Sequence, residues 1–274
     1  MNKEKVMECS LECATRYPIV LVHGVGFRQR NFPGYWGRIP KQLIHRGAQI
    51  FYTCHDAWGT LEGNGAIIRE NIMEILRDTG AEKVNIIAHS NGGLESRYVI
   101  QSLNMAPYVA SLTTICTCHH GSKTIDHLLK LPKLLFHIAA FFVNGFFRLT
   151  GDKKPDFNQV CRQFSTAFCK EFNEKNPDAD TVIYRSCAAK MKSGRSDFLL
   201  MVPYWVVKKY DGDNDGLVSV ESAKWGDFVG VLEGQRRRGV SHSDAVDLRR
   251  HTCRSFDICG AYIALAKDLK EAGL

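Results

Sequence analysis

Between residues 18 and 118, short β-branched runs alternate with stretches whose apolar residues recur every three to four positions. No other feature constrains the fold as strongly. PIVLVHG (18–24) precedes WGRIPKQLIHRG (36–47), AQIFYT (48–53) precedes GAIIRENIMEILRDTG (65–80), KVNIIAHS (83–90) precedes NGGLESRYVIQSL (91–103), and SLTTICTC (111–118) follows. In the second helical stretch Ile67, Ile68, Ile72, Ile75 and Leu76 share one face. Strands alternating with helices form βαβ units, which build a mostly parallel sheet covered by helices on both sides. Further along, DTVIYRSC (180–187) reads as a strand, and KYDGDNDGLVSVESAKWG (209–226) as an acidic turn followed by a β-branched run. A last helix, roughly 256–271, sets Ile258, Tyr262, Leu265 and Leu269 on one face. No repeat, low-complexity tract or composition break divides the chain, so 1–274 reads as a single α/β domain around one large core.

One segment departs from this rhythm. LLKLPKLLFHIAAFFVNGFFRL (128–149) is apolar nearly all round, yet Pro132, His137, Asn144 and Gly145 keep its apolar stretches short of a membrane span. It is either a buried helix or part of an inserted cover, about 124–165, over an apolar cleft or against lipid. Composition sets limits on partners. A formal charge of +7 is diluted by 29 acidic residues, and the one tight basic cluster, Arg236–Arg238, is too short for a nucleic-acid footprint and reads as a solvated loop. The N-terminal stretch lacks the apolar region of a signal peptide. The ten cysteines include no C-x-x-C pair and fit buried, reduced thiols. The expectation is a cytoplasmic protein, with leaderless export left open.

The joint between the third strand and its helix carries Ala88-His89-Ser90-Asn91-Gly92. This has the form of a nucleophile elbow, in which a strained turn lifts a serine oxygen clear of the backbone and small neighbours let helix and strand pack closely. A serine hydroxyl reacts only when a base takes its proton and donors stabilise the resulting oxyanion. The N–H of Asn91 and that of Val25, which follows His23-Gly24 after the first strand, are the natural donors. A nucleotide loop is excluded at LVHGVGF because Gln29 stands where the third glycine of G-x-G-x-x-G would be.

An acid and a histidine are then needed downstream. His119 and His120 come early, and no H-E-x-x-H marks a metal hydrolase. His242 and His251 both precede the last helix, and local reasoning does not separate them. Asp211, Asp213 and Asp215 share one turn that equally suits a calcium loop or a solvated surface.

With LVHGVGF, GYWGRIP (34–40), DAWGT (56–60), IIAHSNGGLESRY, TICTCHHGSKTID (114–126), NDGLVSVESAKWG (214–226), SHSDAVDL (241–248) and the closing ALAKDLKEAGL in this order, the chain resembles the bacterial triacylglycerol lipases of the true-lipase family. That resemblance implies an α/β-hydrolase fold with an apolar helical lid. It implies a carboxylic ester hydrolase acting on acylglycerols at a lipid–water interface, with nucleophile Ser90, acid Asp215, base His242 and oxyanion donors Val25 and Asn91. Cys118 departs from the family by replacing a proline before His119, at a position that lines the cleft approach and is not catalytic. No cofactor is needed for the chemistry. The family's structural calcium maps to Asp244, with Asp197 the nearest candidate for its second carboxylate. The rival readings are a short-chain carboxylesterase, thioesterase or acyltransferase on the same fold and, from another class, a non-catalytic lipid-binding protein.

Overall fold

The computed structural model describes residues 11–26, 34–234, 237–250 and 256–274. Strands β1 (Ile19–Val22), β2 (Ile50–Tyr52), β3 (Val84–His89), β4 (Val109–Ile115), β5 (Ile183–Ala189) and β6 (Asp227–Leu232) form one sheet in the order β2-β1-β3-β4-β5-β6. All five pairings are parallel. The chain starts inside the sheet, runs to one edge and returns to build the other half. The loops leaving β1 and β3 therefore diverge at adjacent strand ends, where a parallel sheet opens a cleft.

The residues of β1 show how the core is divided. Ile19 and Leu21 pack to one side with Trp36, with Ile39 and Leu43 of α1 (Ile39–Ile44), and with Tyr262 and Ala266 of α9 (Ile258–Glu271). Val20 and Val22 pack to the other side with Ile68 and Ile72 of α2 (Leu61–Thr79) and Val99 of α3 (Asn91–Gln101). Every residue of β1, β3 and β4 is buried, as strands covered on both faces must be. The start of α2 is capped by Thr60, whose side chain accepts from Gly63 N, and its end by Gly80 at φ 68°, a left-handed geometry that suits glycine.

Between β4 and β5 lie α4 (Lys123–Leu128), α5 (Lys133–Leu149), α6 (Phe157–Gln163) and α7 (Thr166–Lys175). The first three cover the interval expected for the insertion. The buried-helix alternative for 128–149 fails, because Ala140 is the one buried residue of α5 and Phe141, Phe142 and Leu149 are 76%, 67% and 90% exposed. Among the described residues no helix is long and apolar enough to cross a membrane.

Two elements escape the pattern analysis. The β-branched run after the acidic turn is not a strand: residues 215–223 form turns closed by the Asn214–Ser219 bridge, and the strand comes later, at β6. As an edge strand alternating between exposed and half-buried positions, β6 lacks the apolar run that marks its neighbours. The second is α8 (Met201–Tyr210), which carries exposed Val202 and Trp205.

Candidate active site

Ser90 occupies the single residue between β3 and α3 with φ 55° and ψ −130°, a conformation costly for a side chain with Cβ. Three hydrogen bonds hold it there: Ser90 N donates to Ile115 O (2.9 Å), and Ser90 O accepts from Thr117 Oγ1 (2.7 Å) and Gly93 N (3.1 Å). The small neighbours have a measurable reason. A Cβ at Gly92 would lie 2.5 Å from His23 O, and one at Gly24 would lie 2.6 Å from Ser90 Cβ. The turn after β1 is thus pressed against the elbow, which brings Val25 and Asn91, the two expected donors, to one end of the sheet.

Asp215 and His242 meet above this edge. Asp215 Oδ1 accepts from Leu217 N (2.9 Å) and Val218 N (2.8 Å), leaving Oδ2 to His242 Nδ1 at 2.7 Å. His242 N also donates to Asp215 O (2.8 Å), so the two loops are joined through backbone and side chain. A proton on Nδ1 facing a carboxylate leaves Nε2 as the acceptor. The His89 ring lies 4.4 Å from that of His242, centroid to centroid. Burial, reinforced by the neighbouring His242, holds His89 well below the usual histidine range, so it is a neutral wall of the site. Beneath Asp215, burial and then the carboxylate itself push the Cys116 thiol well above its ordinary range. Among the described residues Ser90 Oγ makes no hydrogen bond. His251, the other candidate base, lies outside the described residues.

The other two aspartates of the acidic turn go elsewhere. Asp211 caps α4, accepting from Lys123 N (2.8 Å) and Thr124 N (3.0 Å). Asp213 pairs with Lys190 and Lys208. His119 is buried, 2.9 Å from Thr114 Oγ1, against Arg97 and the Trp225 ring.

A cavity of about 250 Å³ opens at the site, lined by Val25, Tyr35, His89, Leu199, Leu200 and His242 among others. Next to it Asp197 Oδ2 accepts from the hydroxyls of Ser241 (2.9 Å) and Ser243 (2.7 Å), which flank His242, while Oδ1 is bound by Arg249. Burial raises the Asp197 carboxyl, but the two serines and Arg249 outweigh it and hold it below the usual range. Asp244 accepts from Ser241 N (3.2 Å) and pairs with Arg238 (3.0 Å). These residues do not fit the expected calcium: each carboxylate already carries a guanidinium, which supplies the positive charge the ion would bring. Asp197 and Asp244 instead pin the histidine loop through Ser241 and Ser243.

One cluster carries no sequence signal of its own. Glu95, 1% exposed, accepts on Oε1 from Asn64 Nδ2 (2.7 Å) and Asn91 Nδ2 (2.8 Å), and its Oε2 lies 3.2 Å from His55 Nε2. The i to i+4 spacing of Asn91 and Glu95 was visible, but the partners at 55 and 64 come from a different loop and helix.

Comparison with known proteins finds similarity to lipases. Residues 16–123 match the family model Lipase (class 2). The chain is 35% identical to a triacylglycerol lipase of Pseudarthrobacter phenanthrenivorans over 204 residues, covering 68% of this chain and 63% of that protein. The same identity relates it to a triacylglycerol lipase of Burkholderia plantarii, over 68% of this chain and 56% of the relative. The chain thus spans about three fifths of the length of these two relatives. A triacylglycerol lipase of Pseudomonas fragi is 28% identical and is covered almost end to end, 95% of this chain against 98% of the relative. Among solved structures, Staphylococcus hyicus lipase superposes with a TM-score of 0.71 at 15% identity, covering 97% and 98% of the two chains. The mature Bacillus licheniformis lipase gives 0.67 at 20% identity and 92% of both. The fold is that of the α/β-hydrolases, a parallel sheet flanked by helices.

Proposed function

We propose that this chain is a serine carboxylester hydrolase of the triacylglycerol lipase type. The observation that carries the reading is the Asp215–His242 pair at 2.7 Å, set beside the strained Ser90 elbow at the rim of an apolar cavity. In this mechanism His242 Nε2 takes the Ser90 proton as Oγ adds to the ester carbonyl. The N–H groups of Val25 and Asn91 stabilise the tetrahedral oxyanion. The protonated imidazole, oriented by Asp215, returns the proton to the leaving alcohol, and water then frees the acyl-enzyme by the same steps. Since Ser90 Oγ is without a hydrogen bond among the described residues, its alignment with Nε2 belongs to the substrate-bound geometry. No cofactor enters any step.

The choice of acylglycerols over short esters rests on exposed apolar surface. Phe141, Phe142, Phe146 and Leu149 on α5, Leu199 just before α8, and Val202 and Trp205 on α8 are all more than half exposed, a cost in water that contact with a lipid surface removes. In this reading the segment about 124–165 is a cap that meets the lipid–water interface. Membership of the calcium-dependent true lipases is the finer part of the proposal and rests on the ordered motifs from LVHGVGF to SHSDAVDL, whereas the donor set at Asp197 and Asp244 speaks against the calcium. Hydrolysis of triolein emulsion and of dissolved tributyrin by the parent and by Ser90→Ala tests the proposal. The parent should cleave both, and the variant neither. Parent activity retained in Ser90→Ala removes the serine mechanism, and cleavage confined to tributyrin makes the chain a short-chain esterase.

A further inference from the structure

Six polar side chains, those of His23, Thr53, His55, Asn64, Asn91 and Glu95, stand buried behind the oxyanion loop. His55 Nε2 lies 3.2 Å from the carbonyl oxygen of His23, which can only accept, so the ring proton is on Nε2. His55 Nδ1 is then free to accept from Thr53 Oγ1 at 3.0 Å. The His55 ring stacks on that of His23, 3.6 Å between centroids with 8° between planes. The same Nε2 lies 3.2 Å from Glu95 Oε2, while Glu95 Oε1 holds the side chain of Asn91 at 2.8 Å and that of Asn64 at 2.7 Å. Asn64 in turn closes the loop bearing His55, donating to Asp56 O (2.9 Å) and accepting from Asp56 N (3.1 Å).

One buried carboxylate therefore touches both arms of the oxyanion hole. Through Asn91 it holds the residue whose N–H starts α3. Through His55 and the His23 carbonyl it holds the strand end leading into Gly24 and Val25. Burying a carboxylate is costly, and here only Oε1 is hydrogen-bonded while Oε2 is left with the His55 contact alone, a cost the packing of the sheet does not require. We propose that Glu95 and His55 form a positioning unit that fixes the distance between the two oxyanion donors. The proposal rests on the ester-hydrolase reading of the site.

Glu95→Gln keeps the shape but puts an NH2 group where the Oε2 charge lies 3.2 Å from His55 Nε2. With the amide oxygen on Asn64 and Asn91, the amide NH2 faces His55 Nε2. Two N–H groups then face each other, which pushes the ring off the His23 carbonyl or moves its proton to Nδ1, and in either case that carbonyl loses its donor. Donors that shift together weaken the transition state and leave ground-state binding almost untouched. The test uses p-nitrophenyl butyrate below its solubility limit, with rates normalised to sites titrated by a fluorophosphonate. Phenylboronic acid, which adds reversibly to the serine as a tetrahedral anion, is the second probe. For Glu95→Gln the expected result is a kcat per titrated site lowered roughly 10- to 100-fold, below the loss of a whole donor, with KM within about twofold and the boronate inhibition constant raised in parallel with the fall in kcat. Asn91→Ala keeps its backbone N–H but loses the tether, and should show the same pattern at smaller size. It decides the matter if Glu95→Gln does not fold.

A purely structural role would lower the melting temperature and the number of titrated sites while leaving kcat per site and boronate affinity at parent values. That result overturns the proposal, as does a loss carried by KM. If instead Ser90→Ala keeps the parent rate, the ester-hydrolase reading itself has failed, which is a different outcome.

Discussion

Replacing Asp215 by asparagine asks whether the acid of the site acts through the tautomer of His242. Asp215 Oδ1 accepts two backbone N–H groups, Leu217 at 2.9 Å and Val218 at 2.8 Å, and Oδ2 faces His242 Nδ1. An asparagine keeps these partners only if its oxygen stays on the two N–H groups, which turns its NH2 toward Nδ1. The imidazole then carries its proton on Nε2, where it cannot accept from Ser90. Flipping the amide restores the productive tautomer but strands two buried donors, at about 1–3 kcal/mol each. The flipped form thus lies about 2–6 kcal/mol higher and is populated in roughly one molecule in 30 to one in 25,000. The matching substitution in a serine protease triad costs about 10,000-fold in kcat, so the expected loss is roughly 100- to 10,000-fold with KM unchanged. Because side-chain volume is conserved, the melting temperature should move by no more than about 5 °C. Steady-state hydrolysis of p-nitrophenyl butyrate, with circular dichroism melts, measures both. A kcat within tenfold of the parent would refute the assigned roles of Asp215 and His242.

Three further outcomes are expected. Since Arg238 and Arg249 already neutralise Asp244 and Asp197, millimolar calcium should not raise the melting temperature over that in chelator, and a rise of several degrees would restore the metal. Asp197→Asn should be destabilised at neutral pH by about 2–4 kcal/mol through lost hydrogen bonds to Ser241, Ser243 and Arg249. The parent carboxyl is held below its unfolded value near 3.9, so its contribution is complete above that pH and fades as acid protonates it. Melts from pH 7 to 3 should therefore show the gap between parent and variant closing below about pH 4. Serine at Phe141, Phe142 and Phe146, which are 76%, 67% and 60% exposed, should leave stability within about 0.5 kcal/mol per site. It should also cut triolein turnover while sparing a dissolved ester, and equal loss on both substrates would count against interfacial contact.

How much of this was legible depended on how local each cause is. The β3–Ser90–α3 joint could be read because strand, turn and helix are contiguous and the small residues announce the crowding. β6 could not, because an edge strand that is half-exposed carries no apolar run. Asp215 and His242 were placed by resemblance, since spacing alone does not separate His242 from His251. Asp197 entered only as the nearest candidate for a calcium carboxylate implied by the resemblance, and the arginine that meets it is 52 residues away, beyond the reach of local pattern. Glu95 and His55 lie 40 positions apart and meet only once β1, β3 and the loop after β2 are in place.

The order in which the parts are synthesised has a consequence for the nascent chain. The hydroxyl, its strained turn and both oxyanion arms lie within the first 95 residues, whereas the carboxylate and imidazole are at 215 and 242, bound to each other by two hydrogen bonds. A chain arrested on the ribosome short of residue 242 can hold an assembled elbow and still have no base to arm it. On the ester-hydrolase reading, C-terminal truncations that spare β1 to β4 should therefore yield chains that are inert toward lipid rather than partly active.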